Sequence, residues 1–203
     1  MNTKLSNYIK AILTQNISEE RKVILQPLID FIQKKVVNKE SIAINFICTH
    51  NSRRSHLAQI WAQTASAYFE IPDVDCYSGG TETTAIFPEI AETLIDAGFH
   101  IWKLHESENP IYSIKYTENA QPIIGFSKKF DDAFNPENGF AAVMTCSQAD
   151  GGCPFIAGAE KRIPVTYEDP KISDGRSDQA EVYKEKSLEI GAEMFYVFSQ
   201  INH

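Results

Sequence analysis

Cys48 and Arg54 enclose five residues in Cys48-Thr49-His50-Asn51-Ser52-Arg53-Arg54, and the apolar run Ile42-Ala43-Ile44-Asn45-Phe46-Ile47 leads directly into them. The run predicts a buried strand and Ser55 to Phe69 a helix, so the residues between form a short loop. Successive backbone N–H groups of such a loop can converge on a tetrahedral oxyanion at a helix N-terminus. Thr49, His50, Asn51, Ser52, Arg53, Arg54 and Ser55 are therefore the candidate oxyanion-binding residues. Arg54 would grip two oxygens through its planar fork. Cys48 sits at the floor, where N–H groups, helix dipole and arginine all favour thiolate over thiol. The chemistry this predicts is nucleophilic attack on a bound oxyanion. The bland alternative, that Cys48 is a buried core thiol, does not account for the strand, loop and helix context.

Two further cysteines follow in Cys146-Ser147-Gln148-Ala149-Asp150-Gly151-Gly152-Cys153-Pro154. Cys146 closes the apolar strand Ala141 to Thr145, and Gly151-Gly152 makes the intervening segment easy to deform. Disulfide exchange needs an attacking thiolate in line with the far sulfur, so this arrangement permits a relay from Cys48 through Cys146 to Cys153. A zinc site would need a matching second pair or a histidine cluster, which the sequence lacks, and two bystander thiols are the structural alternative. Cys76 has no partner in sequence and reads as core. Asp169, stiffened by Pro170, is the candidate acid that protonates a leaving oxygen; taken alone, Asp-Pro would merely begin a turn. His56 reads as a surface residue, His100, His105 and His203 as solvent-facing, and Asp174 and Asp178 as loop and helix-cap residues.

The elements that must position these residues alternate. Leu5 to Leu13 and Ser18 to Val37 show helical spacing, with Ser18 as cap and Pro27 expected to kink or interrupt the second helix. After the first strand and its helix come a strand from Val74 to Tyr77 and a helix from Pro88 to Gly98. Ile111 to Tyr116 and Pro122 to Phe126 read as a hairpin insertion. Ile163-Pro164-Val165 forms a short strand, and Ala180 to Phe198 a closing helix. This pattern implies an α/β fold, a mostly parallel four-stranded sheet with helices on both faces. Residues 1–40 are expected to be a helical extension and 41–203 the α/β domain. Ligands bind beyond the carboxyl ends of such strands, where Cys48, Cys146 and Asp169 fall.

The 203 residues suffice for one sizeable core. A net charge of −8 argues against non-specific binding to nucleic acid or anionic membranes, so an anionic substrate must be drawn by a local field. No apolar run approaches a membrane span and no signal-peptide core follows Met1, which points to the cytoplasm, where a few specially placed cysteines are catalytic or redox-active more often than structural.

With Cys48 to Ser55, Cys146, Cys153 and Asp169-Pro170 in that order, the chain resembles the thioredoxin-coupled arsenate reductases, which share the fold of the low-molecular-weight protein tyrosine phosphatases. The resemblance spans about Ile42 to Phe198, and the step from Cys146 to Cys153 is its most specific feature. It implies Cys48 as nucleophile, Arg54 as oxyanion clamp, Ser55 as donor to the thiolate, Asp169 as general acid, Cys146 as resolving thiol and Cys153 as final thiol. It further implies arsenate as substrate, thioredoxin as reductant, and no metal or organic cofactor. His50 stands where the family usually has glycine and Arg53 where many members have cysteine; the extra charge of Arg53 should favour anions. The rival reading is a phosphatase acting through phosphocysteine, for which Cys146 and Cys153 have no chemical use. A third is a non-catalytic anion-binding or redox-sensing module.

Overall fold

The computed structural model describes residues 1–152 and 155–202, so Cys153 and His203 lie outside the described residues. Four parallel strands form the central sheet: β1 (Ile42–Cys48), β2 (Val74–Gly80), β6 (Phe140–Met144) and β7 (Ala159–Pro164), in the order β2-β1-β6-β7. Around it lie α1 (Thr3–Leu13), α2 (Glu19–Asn38), α3 (Arg54–Tyr68), α4 (Pro88–Ala97), α5 (Ser147–Gly152) and α6 (Gln179–Ser199). The expected α/β class and four-stranded parallel sheet are as read from the sequence.

Side-chain alternation along the central strands separates two apolar clusters. Ile44 and Phe46 of β1 and Ala141 and Val143 of β6 join the larger cluster, built with α1 to α4 and α6. Ile47, with Phe140, Ala142 and Met144, lines the smaller one on the other side, under α5 and Ile156, and Cys48 and Cys146 join it at the strand ends. Burial on both faces explains why β1 and β6 read as continuous apolar runs. The large cluster centres on Trp61, whose ring meets Tyr8, Phe99 and Phe195 at centroid distances of 5.5, 5.0 and 6.2 Å. Its indole N–H donates to Ser187 Oγ at 2.9 Å, so the buried polar edge is satisfied.

Ser18 caps α2 by accepting from the Arg21 N–H, as its hydroxyl and the following acids suggest. Of the two outcomes expected at Pro27, interruption does not occur, and α2 runs through it unbroken. The N–H it removes would reach Val23, which is 73% exposed, where water can satisfy the carbonyl.

A second, antiparallel sheet has the order β3-β4-β5: β3 (His100–His105), β4 (Ile111–Lys115) and β5 (Ile123–Gly125). The expected hairpin is β4–β5; β3, unread in the sequence, adds an edge strand that is mostly exposed and carries His100 and His105 at the surface. Its apolar residues Trp102 and Leu104 face solvent, so there was no core-facing alternation to recognise. After β5 the chain returns to β2, where the Gly80 N–H donates to the Lys128 carbonyl at 2.8 Å and the Phe130 N–H to the Gly80 carbonyl at 2.9 Å. That return lays Ser127 and Lys128 against the loop that follows β1.

Candidate active site

The loop from Thr49 to Arg53 joins β1 to α3, and its carbonyls all bond outward. The Cys48 carbonyl accepts from the Thr81 N–H (3.1 Å), Thr49 from Glu82 (2.8 Å), Ser52 from Phe87 (3.1 Å) and Arg53 from Leu57 (3.1 Å). His50 O accepts from the hydroxyls of Ser127 (2.9 Å) and Thr84 (3.2 Å), and Asn51 O is held by the His56 ring at 3.0 Å. None of the N–H groups from Thr49 to Arg54 finds an acceptor among the described residues. A loop whose carbonyls face the protein and whose donors are free is built to hold an anion. Asn51 takes a left-handed φ of 45°, a conformation asparagine tolerates better than most residues.

Cys48 is buried at the floor, its sulfur 3.1 Å from Ser55 Oγ. Asn51 Nδ2 donates to that same hydroxyl at 2.9 Å, and Asn51 Oδ1 accepts from the Lys128 N–H at 2.9 Å. The Asn51 bond occupies one acceptor site of the hydroxyl, which frees its hydrogen to point at the sulfur.

Arg54 is buried on the first turn of α3. Its Nη1 donates to the Tyr167 carbonyl at 3.0 Å and its Nη2 to Asp169 Oδ2 at 2.5 Å, while Nε is buried and has no partner among the described residues. A bound oxyanion would satisfy that donor. Asp169 therefore stands beside the clamp, and its other oxygen accepts from the Lys171 N–H at 3.1 Å. Cys146 lies just past β6, buried in the same cluster as Cys48; its sulfur is 3.4 Å from Thr49 Oγ1 and accepts from the Ala149 N–H at 3.3 Å. The call on Cys153 falls outside the described residues.

Arg53 serves differently from expectation. Its guanidinium pairs with Asp174 at 2.6 Å, donates to the Tyr183 hydroxyl at 2.6 Å and stacks over Phe87 at 4.1 Å. Its charge is met within the fold, so its side chain ties α3 to α6 rather than adding a free cation. Burial and the hydrogen bond to Asp174 raise the Tyr183 pKa.

His56 is not a surface residue: it is fully buried, with Nε2 on Asn51 O and Nδ1 3.3 Å from Ser78 Oγ. Burial and nearby Lys128 push its pKa down to about 3, so it is neutral, with the hydrogen on Nε2. The reason is topological, because α3 is buried along nearly its whole length. Ser127, Lys128 and Tyr167 are the positioning groups that sequence reasoning missed; their only signal was proximity to elements whose packing the sequence does not specify.

The fold is that of the low-molecular-weight tyrosine phosphatases. A low-molecular-weight phosphotyrosine phosphatase from Vibrio cholerae O395 superposes with a TM-score of 0.53 at 14% identity, covering 78% of this chain and 95% of that one. An arsenate reductase in a phosphate-binding state superposes with a TM-score of 0.50 at 18% identity, covering 79% and 99%. Among curated proteins the chain is similar to the arsenate reductase of Staphylococcus aureus strain Newman, 28% identical over 127 residues, 63% of this chain and 77% of the relative. The same match holds for the arsenate reductase of strain COL. No family model matches the chain. Among the described residues no helix is long and apolar enough to cross a membrane.

Proposed function

We propose that this protein reduces arsenate to arsenite through a thiol relay. The observation that carries the reading is Cys146, buried beside the anion loop with its sulfur 3.4 Å from Thr49 Oγ1, next in sequence to the nucleophile. Simple hydrolysis has no use for a thiol there.

The Cys48 thiolate attacks arsenic while the loop N–H groups and Arg54 hold the remaining oxygens, and Asp169 protonates the departing oxygen, which leaves as water. The Cys146 thiolate then attacks Cys48 Sγ. The sulfur–arsenic bond breaks with its electron pair going to arsenic, so As(V) becomes As(III) and two thiols become one disulfide. Cys153 attacks Cys146 Sγ and displaces Cys48 as thiolate, and a thioredoxin dithiol reduces the resulting Cys146–Cys153 disulfide. Neither a metal nor an organic cofactor enters this sequence, and cytoplasmic thioredoxin is the reductant it calls for.

The second reading is phosphate monoester hydrolysis through phosphocysteine, favoured by the Arg54–Asp169 pair, which serves a phosphoryl group equally well. The deciding experiment couples arsenate-dependent NADPH oxidation to thioredoxin and thioredoxin reductase, for wild type and Cys146→Ser. Turnover that collapses in the variant while p-nitrophenyl phosphate hydrolysis survives supports the relay. Absence of arsenate turnover, with phosphate-ester hydrolysis indifferent to the substitution, overturns it.

A further inference from the structure

Lys128, whose backbone is bonded to Asn51 of the anion loop, carries a buried cation that the reaction scheme does not use. Lys128 is 1% exposed, and among the described residues no carboxylate lies within ion-pairing distance of its ammonium. Nζ sits over the rings of Phe126 and Phe134, at 4.5 and 5.2 Å, with the Phe126 carbonyl 3.5 Å away. The two rings are packed edge to face at 5.3 Å. A buried ammonium held mainly by ring faces keeps most of its field, because no carboxylate among the described residues pairs with it directly and Asp132 acts on it only from a distance.

The backbone of the same residue is joined to the site. Its N–H donates to Asn51 Oδ1, its carbonyl accepts from Gly80, and the preceding Ser127 hydroxyl holds the His50 carbonyl. The charged and titratable groups around the ammonium are His56 on α3, kept neutral, and Asp132 in its own loop. In a chain of net charge −8, a fixed cation here offsets the general repulsion of anions where it matters.

We propose that Lys128 is a positioning residue for oxyanion binding: its ammonium supplies a resident positive field beneath the Thr49–Arg54 loop and strengthens the hold on a tetrahedral dianion. Burial pushes the Lys128 pKa down to about 8, so the field is present at neutral pH and is lost as the solution becomes alkaline. The proposal rests on the reading of the loop as an anion site.

The test is calorimetric binding of sulfate, a tetrahedral dianion that does not titrate near neutrality. It uses the 203-residue chain carrying Cys48→Ser, which removes the thiol's own ionisation. This parent is compared with the same chain also carrying Lys128→Arg or Lys128→Met, between about pH 6.5 and 9.5. The expected loss on removing the charge is about tenfold in affinity. The parent should lose that tenfold as pH rises through about 8. The arginine variant should lose much less, and the methionine variant should be weak throughout. Methionine should not weaken folding, since it replaces an unpaired buried charge by an apolar chain. Superimposable pH profiles for parent and arginine variant overturn the proposal, and so does a methionine variant that binds like the parent at neutral pH. If no form binds sulfate at any pH, the anion-site reading itself falls.

Discussion

Arg54 and Asp169 meet at 2.5 Å across the mouth of the anion loop, although 115 positions separate them in sequence. The pair joins the clamp to the candidate acid, and the Tyr167 carbonyl on the other arm of the guanidinium fixes the geometry. An oxyanion bound in the loop would therefore share Arg54 with Asp169.

From that pairing, Asp169→Ala should lower turnover by about 10²- to 10⁴-fold, the usual weight of general acid catalysis. Arg54→Lys keeps the charge but loses the fork, so it should raise the oxyanion KM and lower kcat together. Steady-state kinetics on arsenate and on p-nitrophenyl phosphate check both, and wild-type turnover in either variant would remove that residue from the site.

Gly80 should admit no side chain. A Cβ there would lie 2.3 Å from the Glu82 carbonyl oxygen and 2.8 Å from both Asn51 N and Thr49 O, all backbone atoms of the loop and its brace. Gly80→Ala is expected to abolish phosphate or arsenate binding by displacing the loop, with a stability loss of about 1–3 kcal/mol. Calorimetric titration and urea denaturation of the variant report the two effects separately.

His56 makes folding pH-dependent. Its folded pKa of about 3 lies below the ordinary value of 6.5, so the unfolded chain binds the proton more readily. Its contribution is fully present above about pH 6.5, falls as pH drops toward 3, and is gone below that. His56→Gln should flatten this limb of the urea midpoint against pH, whereas an unchanged slope would show that other groups carry it.

Arg21 should matter to the site from a distance. It pairs with buried Glu193 at 2.6 Å and donates to the Thr166 carbonyl, while the Tyr167 hydroxyl donates to the same carboxylate at 2.7 Å. The N-terminal helix α2 thus braces the segment whose Tyr167 carbonyl holds Arg54. Arg21→Met leaves Glu193 without its cation and should cost about 3–5 kcal/mol in denaturation, with a lower kcat. Full stability and activity would separate the N-terminal helices from the catalytic geometry.

The sequence by itself determined the Cys48–Ser55 junction, because Cys48, Arg54 and Ser55 lie within eight residues and local spacing alone places them on one strand–loop–helix unit. It also determined the parallel sheet, since strands buried on both faces leave continuous apolar runs in β1 and β6. Only the tertiary structure decided what surrounds that loop. The burial of His56 follows from α3 being covered on nearly every side, and the charge of Arg53 is met by Asp174, 121 positions away. The edge strand β3 lies in exposed residues with no core-facing alternation, and Lys128 reaches the loop only because the chain returns along β2 after β5. Local spacing encodes what neighbours in sequence do to one another, whereas these relationships arise from distant segments sharing one interior, where burial changes what a charge or a ring can do.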